Sequence, residues 1–338
     1  MTYPPELRVA VLIPCYNEGL TVEKVVRDFH AALPAACIYV YDNNSADDTR
    51  QRAAAAGAVV RTERQQGKGN VVRRMFADIE ADIYVLVDGD DTYDASDAPA
   101  LVAELVTHDL DLVNARRVTD SAGAFRPGHR FGNWFLTSMV AWIFGQGLSD
   151  MLSGYKVFSR RYVKSFPAMA TGFETETEFV IHALELRMPI SELPTAYRDR
   201  PVESASKLST WRDGFHILRT IFALMKEDRP LQFFSTGFLV LAGISVILAW
   251  PLLLEYRATH LVPRLPTAVL STGLMLLAFL SITCGFVLDT VTHGRREMKR
   301  LFYLSIPSIQ TRLEALRGGV QAPPVRPALR VAETVGER

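Results

Sequence analysis

Net charge is the first thing this sequence lacks. Lys and Arg number 37 and so do Asp and Glu, which leaves the 338 residues formally neutral. A nucleic-acid partner would favour a basic excess, so overall charge gives that reading no support. Cysteine is scarce as well: Cys15, Cys37 and Cys284 show neither metal-ligand spacing nor a disulfide framework and read as structural thiols. No internal repeat is visible. The N-terminus carries no apolar stretch of the signal-peptide kind, so the main folded region is expected on the cytoplasmic side. The length is ample for a real core.

What is present is concentrated apolar sequence near the C-terminus. Leu231 to Leu254 holds Gln232 as its one strongly polar side chain, and Thr267 to Leu288 holds no charged residue. As helices the two runs would reach ~36 Å and ~33 Å, both longer than the ~30 Å hydrocarbon core of a bilayer. Buried core helices are the competing reading, and two such runs separated by a short loop argue against it. We read a transmembrane hairpin. Lys226 and Arg229 precede it and Arg295, Arg296, Lys299 and Arg300 follow, against Arg257 and Arg264 in the loop. That asymmetry predicts an integral protein of the cytoplasmic membrane with both termini inside.

The expected organisation is a cytoplasmic α/β region over 1–210, a juxtamembrane amphipathic helix over 211–230, the hairpin over 231–290, and a partly disordered cytoplasmic tail over 291–338. The tail is rich in Gly and Pro after Leu316. Arg130 to Gly145 is too short to span, so Trp134, Phe135, Trp142, Ile143 and Phe144 lie either at the membrane interface or in the core. Trp211 to Leu224 invites the same two readings. Gly237, Gly243, Ser271 and Gly273 would permit helix packing, within the hairpin or in a homo-oligomer, or would face lipid.

Residues 7–116 alternate short apolar runs with helical patterns, which predicts βα units around a mainly parallel sheet. Strands are expected at Arg8 to Ile13, Cys37 to Tyr41, Ala58 to Arg61, Ile83 to Val87 and Leu112 to Ala115. Helices are expected at Thr21 to Leu33, Asp47 to Ala56, Asn70 to Ile79 and Ala98 to Thr107. Ser45-Ala46-Asp47-Asp48 resembles a capping box at the start of the second helix. Polar groups follow three of the strands: Asn17 and Glu18 after the first, Asp42, Asn43 and Asn44 after the second, Asp88, Asp90 and Asp91 after the fourth. Ligands of open α/β sheets collect at such carboxyl ends, so one shared site is expected.

Asp88-Gly89-Asp90-Asp91 carries the most chemistry. Clustered carboxylates at a strand end suit Mg²⁺ or Mn²⁺, although Asp and Gly are also ordinary turn residues. Gly67-Lys68-Gly69 opens the third helix, where a lysine and the helix N-terminus would meet an anion, or where the glycines simply make a flexible turn.

Pro14-Cys15-Tyr16-Asn17-Glu18, Asp42-Asn43-Asn44-Ser45 and Asp88-Gly89-Asp90, in this order, resemble glycosyltransferase family 2. Asp150-Met151-Leu152-Ser153-Gly154-Tyr155 and Gly172-Phe173-Glu174-Thr175-Glu176 are similar to its polyprenyl-phosphate branch, over roughly residues 7–227. The resemblance implies a GT-A fold, followed by interfacial helices and the hairpin. It implies a nucleoside-diphosphate sugar bound by Pro14, Tyr16, Glu18, Asp42, Asn44, Lys68 and Asp88, with Asp90 and Asp88 on a divalent cation. Thr92 stands where mannose synthases of this group tend to offer Gln, which leaves the third metal ligand and the donor open. Arg116, Arg130, Ser153, Arg200 and Lys207 would receive the acceptor phosphate, and Arg117 and Arg198 are further cationic candidates. Glu203 replaces a frequent Gly in the basic loop.

Such a reaction breaks an anomeric C–O bond, and a bound cation neutralises the departing diphosphate. A lipid phosphate is already anionic, so no strong base is needed. For a hydroxyl acceptor, Glu174 or Glu176 would be the base. One of Glu174, Glu176 and Glu178 reads equally as a structural partner of the Arg198 loop, and Asp150 as a base or as the group orienting an acceptor arginine. Two rivals stay open: a family 2 transferase with a hydroxyl acceptor, against which residues 173–230 lack Gln-x-x-Arg-Trp, and a non-catalytic membrane-tethered nucleotide-sugar binder.

Overall fold

The computed structural model describes residues 4–118, 148–169, 172, 174–198, 226 and 229–318. Seven strands form one sheet: β1 Val9–Cys15, β2 Cys37–Asp42, β3 Val59–Thr62, β4 Ile83–Leu86, β5 Leu112–Val118, β6 Lys156–Ser159 and β7 Ile190–Ala196. Their order is β3-β2-β1-β4-β6-β5-β7. β6 runs antiparallel to β4 and β5, and the remaining pairs are parallel. The sheet is the mixed, mainly parallel one of a GT-A fold. From β1 the chain winds outward to β2 and β3 on one side and returns to β4 on the other. That reversal opens a crevice above the carboxyl ends of β1 and β4.

Alternation along the strands divides the core in two. Val9, Val11, Ile13, Val85, Val113, Ala115 and Val157 face a cluster completed by α1 Val22–Ala32 and α4 Ala98–Thr107. Ala10, Leu12, Tyr84, Leu86, Leu112 and Phe158 face the opposite cluster, completed by α3 Lys68–Asp78 and α6 Thr175–Leu186. α2 Thr49–Ala55 and the one-and-a-half-turn α5 Arg160–Ser165 fill the margins. α1 buries Val22, Val25, Val26 and Phe29, the i, i+3, i+4, i+7 stripe of an amphipathic helix. Burying a side chain such as Phe29 contributes roughly 2–3 kcal/mol.

The expected capping box does not form. α2 begins after Asp48 without a side-chain cap, because Ser45 Oγ accepts the Asn17 N–H instead, at 2.9 Å.

The chain divides into two units, Met1–Ser206 with Lys299–Arg338, and Lys207–Met298. The second contains α7 Pro230–Thr259 and most of α8 Leu265–Leu304. Both helices are long and apolar enough to cross a membrane, and their most apolar stretches are only 6% and 11% buried. A buried core helix would show the reverse. Ser245 Oγ donates to the Ser271 carbonyl at 2.7 Å and Ser281 Oγ to the Phe234 carbonyl at 3.0 Å, which pairs the helices antiparallel. Gly237 and Ser271 therefore serve that pairing, whereas Gly243 and Gly273 have open space around them.

Beyond the hairpin, the first part of the expected tail is structured and belongs with the sheet unit. α9 Ile309–Arg317 inserts Ile309 and Leu313 into the first core cluster, and Tyr303 joins the second. Tyr303 Oη donates to Asp111 at 2.6 Å, Arg312 to Asp82 at 3.2 Å and Lys299 to Glu185 at 2.7 Å. The two interfacial helices expected near 130–145 and 211–224 lie outside the described residues.

Candidate active site at the carboxyl edge of the sheet

The loops after β1, β2 and β4 are laced into one rim. Asn17, in the left-handed region at φ 53, accepts the Ala46 N–H on Oδ1 at 2.8 Å. The Glu18 N–H donates to Thr49 Oγ1 at 2.9 Å, and Gly19 to Asp47 at 3.0 Å. Asn43, one of the polar groups named after the second strand but given no role of its own there, donates to the Glu63 and Gln65 carbonyls and accepts the Gly67 N–H at 2.8 Å. It thereby fastens the loop that leads to Lys68. Asn44, also left-handed, ties the same loop through the Arg64 carbonyl and Gln66. Thr21 Oγ1 donates to the Gly89 carbonyl at 2.6 Å and joins the first rim segment to the Asp88 turn.

The expected carboxylates converge. Cys15, buried at the end of β1, has its thiol pushed well up first by burial and then by the fields of Glu18, Asp42, Asp88 and Asp90. The fields of these four carboxylates thus meet at one buried thiol. Asp88 Oδ1 lies 2.5 Å from Lys68 Nζ, and the same ammonium lies 2.5 Å from Glu176 Oε1. Burial works against the charge of Lys68. The two carboxylates outweigh it and hold the ammonium above the ordinary lysine range. The other oxygen of Asp88 lies against Gly154, where an added Cβ would stand 2.1 Å away. Only glycine leaves room for the carboxylate there.

Asp90 is buried and accepts the Thr92 hydroxyl at 2.6 Å and its N–H at 3.3 Å. Thr92 thus braces Asp90. Asp91 turns away to Lys24, at 2.6 Å, and leaves Asp88 and Asp90 as the acidic pair of the turn. Among the described residues no cluster of three or more His, Cys, Asp or Glu forms a metal cage. Two carboxylates nonetheless fit Mg²⁺ or Mn²⁺, which bind through one or two acids and complete their shell with water and substrate phosphates.

Two expected contacts stand back from open surface. Asp42 is completely buried, accepts the Ser45 N–H at 3.3 Å on both oxygens and lies 3.6 Å from Arg50, so here it braces its turn. Ser153 is buried too, accepting the Tyr155 N–H at 3.2 Å beside the Tyr93 hydroxyl. Tyr16 is 38% exposed at the rim, and Pro14 and Glu18 are partly exposed beside it.

Alternation separates the arginines of β5. Val113 and Ala115 face the first core cluster and Leu112 the second, so Arg116 falls on the face that carries Lys68 and Glu176, and Arg117 on the other. Arg116 is exposed, and among the described residues no carboxylate pairs with it. Arg117 is clamped by Asp150, Nε to Oδ2 and Nη2 to Oδ1 both at 2.7 Å. Burial raises the Asp150 carboxyl, and the Arg117 guanidinium more than reverses this, holding it below the usual range. Asp150 orients Arg117 rather than Arg116. Beneath it runs a buried polar chain: Asn114 donates to the Asp150 carbonyl and to Glu192, each at 2.8 Å, and Lys156 reaches Asn114 and the Met151 carbonyl. Burial pushes the Lys156 ammonium down to about 8. Arg130, Arg200 and Lys207 lie outside the described residues.

Comparison with known proteins agrees with this geometry. Residues 10–166 match the family model for glycosyl transferase family 2. Glycosyltransferase AglJ of Haloferax volcanii is 32% identical over 300 residues, covering 87% of this chain and 97% of the relative. A dolichol-phosphate mannosyltransferase of Pyrococcus furiosus is 26% identical over 262 residues, 71% of this chain and 70% of that protein. Among solved structures, glucosyl-3-phosphoglycerate synthase of Mycobacterium tuberculosis, crystallised with Mn²⁺, UDP and glucosyl-3-phosphoglycerate, superposes with TM-score 0.52 at 23% identity. The match covers 65% of this chain and 79% of that one, a likeness of fold. A GT-A sheet with its acidic rim at the switch point, a family match over that rim and a near full-length relative lead to one assignment: the chain belongs to glycosyl transferase family 2, the enzymes that move a sugar from a nucleotide sugar.

Proposed function

We propose that the protein transfers one sugar, with inversion, from a UDP- or GDP-linked donor to a polyprenyl phosphate at the cytoplasmic face of the membrane. The product is a lipid-linked monosaccharide. Asp90 and Asp88 hold Mg²⁺ or Mn²⁺, whose charge offsets that building on the departing diphosphate. Pro14, Tyr16, Glu18, Asn44 and Lys68 line the donor side, and Arg116, with Arg130, Arg200 and Lys207, receives the acceptor phosphate. An arginine grips phosphate through parallel hydrogen bonds, which suits the exposed Arg116.

One observation carries this choice of acceptor. Two of the candidate bases are occupied by cations: Glu176 by Lys68 at 2.5 Å and Asp150 by Arg117 at 2.7 Å. A hydroxyl acceptor needs a base able to take a proton, whereas a phosphate oxygen attacks without one. The similarity to a dolichol-phosphate mannosyltransferase supports the same acceptor. Glu174, exposed at the N-terminus of α6, is the carboxylate on which the hydroxyl reading would rest.

The test is a donor screen with short-chain polyprenyl phosphate and Mg²⁺ or Mn²⁺, followed by mass spectrometry of the extracted lipid. A polyprenyl-phosphate monosaccharide that Glu174→Gln still makes, and that Arg116→Ala makes only at raised lipid concentration, is the expected result. Transfer to a free hydroxyl lipid, abolished in Glu174→Gln, overturns the acceptor assignment.

A further inference from the structure

Resting on the donor-site reading above, we propose that Lys68 is a resident counter-ion which occupies Asp88 until the metal-bound diphosphate arrives. Divalent cation and nucleotide then load together, and the bare cation is held off. The ammonium sits 2.5 Å from both Asp88 and Glu176 and is only 10% exposed, so a cation approaching Asp88 meets a like charge already in contact. Asp88 is in contact with that ammonium through one oxygen and with the Gly154 backbone on its other side.

Lys68 does have somewhere to go. It opens the eleven-residue α3, whose N-terminal N–H groups and dipole favour an anion at that point. A flexible four-carbon stem lets its point charge move a few ångströms from Asp88 to a diphosphate oxygen while staying near Glu176. The second oxygen of Glu176, Oε2, is buried, with no hydrogen-bond partner among the described residues. Glu176 therefore has hydrogen-bonding capacity to spare and retains a hold on Lys68 as Asp88 is released. No bond forms or breaks in this exchange; one ion pair is traded for a metal–carboxylate contact and an ammonium–diphosphate contact.

The experiment titrates Mn²⁺ alone, then UDP and GDP with Mn²⁺, into the full chain in detergent, by calorimetry and by the Mn²⁺ magnetic resonance signal. In Lys68→Met, bare Mn²⁺ should bind roughly tenfold tighter and the nucleotide roughly tenfold weaker, within the usual range of site-to-site coupling. Lys68→Arg, which keeps the charge, should hold bare Mn²⁺ as weakly as the wild type. Thermal melting reports whether each variant is folded, and Lys68→Gln gives the same readout where Lys68→Met melts early. Opposite shifts in the two affinities support the exchange. Bare Mn²⁺ affinity unchanged or weakened in the neutral variants, or raised equally in Lys68→Arg, overturns it while the donor site stands. A wild type that binds neither UDP nor GDP overturns the donor-site reading and the exchange with it.

Discussion

Gly154→Ala adds one carbon and aims it at Asp88. The new Cβ would stand 2.1 Å from Oδ2 and 2.7 Å from Cγ of that carboxylate, against a comfortable separation of about 3.5 Å. Asp88 must then swing by roughly an ångström, because the glycine backbone is fixed in the turn that follows Ser153. Gly154 lies outside the left-handed region, so alanine brings no backbone strain. The stability cost is the overpacking and the loosened contact with Lys68, about 1–3 kcal/mol, or a melting point lower by roughly 3–8 °C in a domain of this size. Catalysis should suffer far more, since misplacing a reacting group by about 1 Å costs on the order of 10²-fold. Initial rates of sugar transfer at saturating donor, measured beside differential scanning, separate the two effects. The double variant with Asp88→Asn should be no slower than Asp88→Asn alone, since both act through one carboxylate. A Gly154→Ala enzyme that keeps its kcat, or whose loss simply follows the unfolded fraction, refutes the reasoning.

Three further outcomes follow from buried groups. Asp111 accepts from Ser159, from Arg161 at 3.0 and 2.8 Å and from Tyr303 at 2.6 Å. Asp111→Asn should therefore cost about 1.5–3 kcal/mol by removing the buried carboxylate from the partly buried Arg161 guanidinium, and Tyr303→Phe about 1 kcal/mol, both read from denaturant melts; equal small losses would argue against the ion pair. Burial pushes the His182 imidazole down to about 3 from 6.5, with the charge of Lys299 adding to it. The unfolded chain takes up this proton first, so stability is full above pH 6.5 and falls as pH drops, by about 2 kcal/mol at pH 5. His182→Gln should flatten that slope in melting curves taken from pH 7 to 5, and an unchanged slope would refute the assignment. At Gly285 a Cβ would stand 2.9 Å from Phe234 Cβ, so Gly285→Leu should wedge the hairpin apart and lower its melting temperature in detergent, whereas Gly243→Leu, with open space around it, should not.

The first five strands were legible because each is a short apolar run bounded by a helix pattern, and their bounds fall within a few residues of expectation. β6 and β7 were not, for identifiable reasons. β6 is four residues long and begins with Lys156, a charge that the sheet buries only because Asn114 and the Met151 carbonyl receive it. β7 is an edge strand with Glu192 and Pro194 inside it, so it carries no apolar alternation to read. The acidic rim was legible because its residues follow strands directly in sequence. Their pairing was not. Whether Arg116 or Arg117 falls on the face of the sheet that carries α3 depends on the parity of β5, and the clamp on Arg117 comes from Asp150, thirty-three positions away. Asp42 and Ser153 sit in recognisable motifs, yet both spend their hydrogen bonds on their own turns.

The acidic turn after β4 differs from the acidic residues that precede β4 and β5 in the cation it meets, and the difference supports the proposed site. At the amino edge, Asp82 precedes β4 and Asp111 precedes β5. Asp82 accepts the Arg8 N–H at 3.0 Å and Arg312 at 3.2 Å, and Asp111 takes a two-pronged grip from Arg161 and the Tyr303 hydroxyl. Each carboxylate thus has several partners, Arg161 gripping through two hydrogen bonds, and Tyr303 and Arg312 come from the returning C-terminal segment; together they fix structure. At the carboxyl edge, Asp88 meets a single ammonium on a flexible stem, and Asp90 accepts the hydroxyl and N–H of Thr92. A guanidinium fork is costly to displace, whereas a lysine point charge exchanges readily for another cation. On the proposed function, the same carboxylate chemistry that bolts the chain together at one end of the strands would, at Asp88, exchange its ammonium for a metal-bound diphosphate at the other.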